Sequence, residues 1–354
     1  MGTNPHDFLY EMLRTPSPSG REDELQEKWL EYVKSSADEL RTDGAGNAYA
    51  ILQPEAPFRV LLAGHSDEIG FMIKHIDESG FLRVEPLGGI SPLPALGMRV
   101  TVLGTNGTIT GIFGTNAEHH GGANEKMTTD DLYIDCGVTT KAEIERYIQI
   151  GDPAVYDIEP QLLLNESLSG RGLDNRTGSY IVAEVIRRLK DETLSVGVYG
   201  VSTVNEETNM GGAFFAGAMT KPTIAIALDV TFATDFPSAS PQKNGDVRLQ
   251  KGPVLAKGAP INRKVNELLE RAAKDEGISL QYELTPKTTG TDADQLRLTG
   301  SGVPVAVLSL PLRYMHAPQE MIALQDIEQE ITLLTRFILN LTGKEDIKPV
   351  HVPN

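Results

Sequence analysis

Two histidines and five carboxylates in this 354-residue chain stand where they could act together. His65 and Asp67 lie in Gly64-His65-Ser66-Asp67-Glu68, just after the apolar run Phe58–Ala63. Asp174 lies in Gly172-Leu173-Asp174-Asn175-Arg176, ahead of a helical pattern. Glu206 and Glu207 follow the run Ser195–Val204, Asp229 follows Thr223–Leu228, and His316 follows Pro304–Leu310. Open α/β sheets bind ligands beyond the carboxyl ends of their strands, and these residues fall at such ends. Two imidazoles with several carboxylates form a nitrogen and oxygen set that suits zinc first, with cobalt and manganese also fitting. A carboxylate shared by two ions holds them roughly 3.5–4 Å apart. Such a pair polarises a peptide carbonyl and supplies hydroxide near neutral pH. A further carboxylate must then carry a proton to the leaving amine. Glu206-Glu207 can divide those tasks, one holding metal and the other acting as base. His65 and Asp67 share a face of extended chain, so Asp67 can fix the His65 ring through its second nitrogen.

Each element alone has a plainer reading. A histidine after a strand is usually structural, paired glutamates usually occupy a solvated turn, and an aspartate before a helix usually caps it. Only the joint occurrence at five tips favours a metal site. Cys136, the single cysteine, sits in the apolar stretch Tyr133–Gly137 with no histidine beside it, and reads as a buried structural thiol. His119-His120, next to Gly121-Gly122, reads as a surface loop.

Positioning elements follow from periodicity. Helical spacing marks 4–14, a stretch from about Glu22, 175–189, 212–219, 262–277, 292–298 and a closing helix over 324–341. Strand patterns mark 47–53, 58–63, 195–204, 223–228, 280–284 and 304–310. Alternation of this kind predicts an α/β fold, a mixed central sheet with helices on both faces. Between 69 and 165 short strand-like pieces alternate with turn signals, which predicts an inserted small β-barrel. The expected division is therefore 1–68 with 166–354 as an α/β domain and 69–165 as the insert. The tail after Gly343 reads as a loose end.

Composition narrows the function classes. A formal net charge of -17 disfavours nucleic acid and anionic membrane surfaces as partners. The apolar runs are too short to span a bilayer. No basic-then-apolar leader is visible over Met1–Tyr10, and a single cysteine fits a reducing cytoplasm.

Six motifs carry a resemblance: Gly64–Ile73, Leu173–Gly178, Thr203–Glu207, Ala227–Thr231, Gly290–Ala293 and Arg313–Pro318. In this order and spacing the chain resembles the M42 metallo-aminopeptidases, the glutamyl, leucyl and deblocking group, from Phe8 to about Leu341. The resemblance implies a zinc-peptidase-like catalytic domain and a small, PDZ-like barrel used for dimerisation. It implies two divalent metals, one bound by His65 and Asp229, the other by Glu207 and His316, with Asp174 bridging. Glu206 would be general base and acid, and Asp67 would orient His65. Substrates would be peptides with free N-termini, and the assembly a large homo-oligomer, a tetrahedral dodecamer. Departures lie at Phe232–Pro237, where the family has a histidine-containing, glycine-rich stretch, and at Asn175 and Thr208–Met210. The rival readings are a glycoside hydrolase using paired carboxylates, a related carboxypeptidase or acyl-amino-acid hydrolase, and a non-catalytic scaffold. Side-chain preference is left open; Arg313 or Lys287 would favour acidic residues if either reached the pocket.

Overall fold

The structure, a computed structural model, describes residues 6–122 and 126–352. Two amphipathic helices open it, α1 (Asp7–Arg14) and α2 (Asp23–Val33). Each buries one stripe: Phe8, Leu9, Met12 and Leu13 in α1; Leu25, Trp29 and Val33 in α2. Asn4, where the sequence pattern begins its first helix, lies outside the described residues. Three strands follow, β1 (Glu39–Thr42), β2 (Ala48–Leu52) and β3 (Arg59–His65). The next six are β4 (Gly70–Ile76), β5 (Leu82–Leu87), β6 (Arg99–Gly104), β7 (Gly107–Phe113), β8 (Tyr133–Asp135) and β9 (Pro153–Tyr156), with one helical turn, α3 (Lys141–Ile144), before β9. They close into a barrel in the order β4-β5-β8-β7-β6-β9. Its interior holds Phe71, Ile73, Val84, Val100, Val102 and Phe113, every second residue of these strands, as a closed sheet requires.

Beyond the barrel come β10 (Gln161–Leu162), β11 (Ser167–Gly170), α4 (Leu173–Leu189), β12 (Gly197–Thr203), α5 (Glu206–Asn209), α6 (Gly211–Thr220) and β13 (Ile224–Phe232). The chain ends with α7 (Pro241–Asn244), β14 (Val254–Gly258), α8 (Arg263–Asp275), β15 (Gln281–Thr285), α9 (Ala293–Leu296), β16 (Val305–Leu312), β17 (Glu320–Ala323) and α10 (Leu324–Asn340). Eight strands form the main sheet in the order β1-β2-β12-β3-β13-β16-β14-β15. The central four, β12, β3, β13 and β16, are mutually parallel, and the sheet becomes antiparallel at β2 and β14. Alternation on β2 explains its two-sided cover. Ala48, Ala50 and Leu52 pack in the core with α1, α2, α4, α8 and α10, while Tyr49 and Ile51 pack with α6 and α9. The α/β sheet with helices on both faces and the β-barrel both match the sequence expectation.

Several elements differ from the sequence pattern. β13 runs four residues past Leu228, because Asp229 through Phe232 stay in register with Ser309 through Leu312 of β16. The polar side chain at Asp229 ends the apolar run without ending the strand. β1, β14 and β17 carry no clear periodicity in the sequence. The segment after Gly343 is docked at Ile347, which is buried and whose carbonyl accepts a hydrogen bond from Asn262 Nδ2 at 3.0 Å, while residues 348–352 are exposed.

Candidate metal centre

Parallel strands bring the chemical residues to one edge. His65 is the last residue of β3, Asp229 stands near the end of β13, and Glu206 and Glu207 begin the turn after β12. Asp174 enters from the first turn of α4. That turn comes unusually close to the sheet: a Cβ on Gly64 would lie 2.5 Å from the Gly178 carbonyl carbon. Asn175 secures the approach by donating from Nδ2 to the Leu228 carbonyl at 2.7 Å. Asp174 has non-helical angles (φ -80, ψ 107) and caps nothing. The capping alternative therefore gives way to a carboxylate turned toward two imidazoles.

The two Asp174 oxygens face different histidines. Oδ1 lies 3.3 Å from His65 Nε2, and Oδ2 lies 3.3 Å from His316 Nε2. His65 Nε2 is 4.0 Å from Asp229 Oδ1, and His316 Nε2 is 3.4 Å from Glu207 Oε2. Two groups result, His65–Asp174–Asp229 and Asp174–Glu207–His316, each with donor atoms within 4.8 Å of one another and each able to hold a metal ion. Glu206 Oε2 lies 3.6 Å from His65 Nε2, beside the first group. Glu207 Oε1 is buried without a hydrogen-bond partner, as befits an atom meant for a cation. All seven residues singled out in the sequence thus converge. His119 and His120 are exposed and join neither group.

Supporting contacts explain the orientation. His65 Nδ1 lies 3.1 Å from the Asp67 main-chain carbonyl and 3.4 Å from Asp67 Oδ1. Both are acceptors, so Nδ1 keeps its proton toward Asp67 and Nε2 is the nitrogen turned to the centre, able to ligate a cation that displaces its proton. The Asp67 carboxylate also accepts from the Glu206 and Glu207 amides at 3.0 and 3.1 Å and from Ser19 Oγ at 2.6 Å. One buried carboxylate therefore fixes both the histidine and the glutamate turn. Asn205, which precedes that turn, has a left-handed backbone (φ 58) and an amide held by Glu22 Oε1 at 3.1 Å. His316 is also left-handed (φ 60), an uncommon conformation for a side chain of its size.

Sequence reasoning missed Glu320. It is 2% exposed, and it accepts from the Asp174 amide at 3.1 Å and from the His316 amide at 3.0 Å. Its position four residues after His316 carries no signal on its own. Ser19 lies in the Pro- and Ser-rich stretch between the first two helical patterns and Glu22 at the start of the second, where neither carries a signal on its own. Asp292 belongs to the Gly290–Ala293 motif, and it accepts from Thr203 Oγ1 at 2.5 Å.

Electrostatics favour added positive charge. Burial, reinforced by Asp229, Asp292 and Glu207, pushes Glu206 up to about 10 despite His65. Burial and Asp174 push Glu207 up to about 6. Burial works against the His316 imidazolium, yet Asp174 and Glu207 hold it up at about 11. Burial also opposes the charge on His65, and Glu206, Asp174 and Asp67 outweigh it. Carboxyls crowded in this way retain protons that divalent cations would displace.

A cavity of about 750 Å³ opens over the two groups. Phe232, Thr288–Thr291 and Met315 line it, so the Phe232–Pro237 stretch that departs from the family pattern reaches the site at its first residue. Arg313 does not: its guanidinium pairs with Asp235 at 2.7 Å, and neither Arg313 nor Lys287 is among the lining residues.

Known proteins resemble this chain in sequence and in fold. The model of the M42 glutamyl aminopeptidase family matches residues 46–333. The lysyl aminopeptidase of Pyrococcus furiosus is 31% identical over 355 residues, covering 97% of this chain and 98% of that one. An aminopeptidase from the archaeon Desulfurococcus kamchatkensis superposes with a TM-score of 0.92 at 31% identity, covering 98% of each chain. The TET1 peptidase of Pyrococcus horikoshii, which can assemble into a tetrahedron or a large octahedral shell, superposes with a TM-score of 0.84 at 30% identity. That match covers 94% of this chain and 98% of the other. With the family model spanning most of its length and relatives matched almost end to end, the chain belongs to the M42 glutamyl aminopeptidase family and is an aminopeptidase, a hydrolase of peptide bonds.

Proposed function

We propose that the chain removes single residues from peptides with free N-termini at a two-metal centre. Membership of this metallopeptidase family implies divalent metal ions, and the donor set fits them. The observation that carries the reading is the split of Asp174, one oxygen to His65 and the other to His316. On this reading His65 and Asp229 hold one ion, Glu207 and His316 hold the other, and Asp174 bridges. Zinc suits this set first, with cobalt or manganese as alternatives. When bound, such a pair supplies Lewis acidity and lowers the pKa of water.

The remaining work falls to the chain. Glu206 takes a proton from the attacking water and returns it to the leaving amine nitrogen, once the charge of bound cations has displaced the proton that the metal-free carboxyl retains. Asp67 holds the His65 tautomer and aims Glu206 through the amide bond at 3.0 Å. A glycosidase working through two carboxylates would leave His65 and His316 without a role.

The reading extends to organisation. Residues 1–68 and 166–354 form the catalytic unit, and 69–165 form a unit for contact between copies. The assembly is a large homo-oligomer, by analogy with the TET1 particles, and we favour a dodecamer. No helix among the described residues is long and apolar enough to cross a membrane. The Cys136 thiol is pushed up to about 11 by burial, then by Asp135, and so reads as inert in a reducing cytoplasm.

The test compares an unblocked aminoacyl substrate with its N-acetylated form, before and after chelation and with zinc, cobalt or manganese restored. Cleavage of the free form alone, lost on chelation and regained with metal, supports the reading. Equal cleavage of both forms, or activity indifferent to chelator, overturns it.

A further inference from the structure

The cavity reaches well past the residues assigned to metal and proton transfer. Its lining also includes hydroxyl and apolar side chains, among them Thr231, Thr285, Met210, Met315 and Leu284. Setting aside Asp174, Glu206, Glu207, Asp229 and His316, the one other charged side chain among the described lining residues is Glu283. None of the described lining residues is a lysine or an arginine.

Glu283 is anchored but not neutralised. Its Oε2 accepts from Thr231 Oγ1, and its Oε1 accepts from Ser309 Oγ at 3.5 Å. Among the described residues no cationic side chain forms an ion pair with it. Burial raises its pKa, and only these two hydroxyls oppose the rise. A half-buried carboxylate held by hydroxyls alone lacks the counter-charge that such groups ordinarily have.

Its position relative to the centre is fixed by the sheet. Ser309 is the register partner of Asp229, and Thr231 lies two residues beyond Asp229 on the same strand face. Two residues of extended strand span about 7 Å. The Glu283 carboxylate therefore lies about one such step from the first metal-competent group. An extended lysine side chain reaches roughly 6 Å from Cα to Nζ by standard bond lengths. A substrate whose scissile carbonyl sits at the centre can place a cationic side-chain tip against Glu283.

We infer that Glu283 is a specificity-determining residue that receives the ammonium or guanidinium of lysine or arginine at the substrate N-terminus. This rests on the proposed aminopeptidase centre and adds its substrate class. Acidic N-terminal residues meet a like charge there, and neutral ones leave the carboxylate without a counter-ion. The hydroxyls of Thr231 and Ser309 hold the carboxylate for the incoming cation.

The experiment uses the metal-loaded full chain with Lys-, Arg-, norleucyl- and Glu-p-nitroanilide, norleucine being lysine without its ammonium. We expect kcat/KM for Lys and Arg at least tenfold above norleucine and a hundredfold above Glu. In Glu283→Gln the Lys-to-norleucine ratio should fall at least tenfold, and in Glu283→Lys the order of Lys and Glu should reverse. Melting temperature and metal content establish that each variant is folded and loaded. Inhibition of the unmodified protein by L-lysine against L-norleucine needs no variant, and L-lysine should bind at least tenfold more tightly. Norleucine matching lysine in the unmodified protein, or a ratio unmoved in folded Glu283→Gln, overturns the inference and leaves the aminopeptidase reading standing. Failure of metal-replete protein to cleave any unblocked substrate would instead reject that reading. Calorimetric titration of L-lysine against L-norleucine would then still decide the subsite.

Discussion

Replacing Glu320 by Gln should loosen both halves of the candidate centre at once. Its oxygens accept from the Asp174 and His316 amides at 3.1 and 3.0 Å, and the side chain is 2% exposed. Glutamine offers one oxygen and one NH2 group, and the NH2 faces an N–H that needs an acceptor. One buried donor is left unmatched, at a cost of about 1–3 kcal/mol. For a chain of this length, metal-free protein should melt roughly 1–4 °C lower, from the scaling of unfolding entropy with residue number. The larger effect is on metal. Asp174 contributes to both groups and His316 to one, and loss of an outer partner to a ligand weakens affinity by about 10–100-fold. Competition titration against a fluorescent zinc chelator reads this directly, with calorimetric melting as the control for the fold. The Asp174–Glu207–His316 group should weaken more, since both its Asp174 and its His316 lose support. Wild-type zinc affinity in a Glu320→Gln variant with the expected melting loss would refute the reasoning and make Glu320 a structural residue only.

Three further outcomes are expected. Glu206→Gln should bind metal normally while kcat falls by about 10²–10⁴, the usual contribution of a general base; turnover within twofold of wild type would remove Glu206 from that role. Gly64→Ala should destabilise by about 1–3 kcal/mol or more, because the added carbon meets the Gly178 and Ser179 backbone rather than a movable side chain. It should also lower metal affinity by displacing α4; an unchanged melting temperature would contradict the close approach. Metal uptake should release protons, since Glu206 at about 10 and His316 at about 11 are both protonated at pH 7 without metal. The metal-free form binds more protons, so affinity must rise with pH. Calorimetry in two buffers of different ionisation enthalpy measures the release, and identical heats would count against it.

Six of the seven site residues were legible in the sequence because they follow the carboxyl ends of parallel strands, and apolar runs mark those ends; Asp174 was legible instead as the aspartate that opens a helical pattern. His65 is the clearest case, following an apolar stretch that can only be an interior strand. The long helices and the barrel were legible for the same reason, since periodicity reports burial. What stayed hidden is built from single polar side chains acting on distant backbone. Glu320 gives no local pattern, and its meaning appears only when β17 places it under two amides from different elements. Asp67 was expected to serve His65 alone, yet most of its bonds go to Glu206, Glu207 and Ser19. The tail after Gly343 reads as polar and loose because Ile347 is its one buried side chain among the described residues. Arg313 shows the converse: its charge suggested a ligand role, and Asp235 takes it up.

Anomalous diffraction from zinc-loaded crystals, recorded at the zinc absorption edge, tests the two-metal centre most directly. Two peaks in each chain are expected, roughly 3.5–4 Å apart. One should be bounded by His65, Asp174 and Asp229 and the other by Asp174, Glu207 and His316. A single peak, or peaks that leave the two oxygens of Asp174 on one ion, would contradict it.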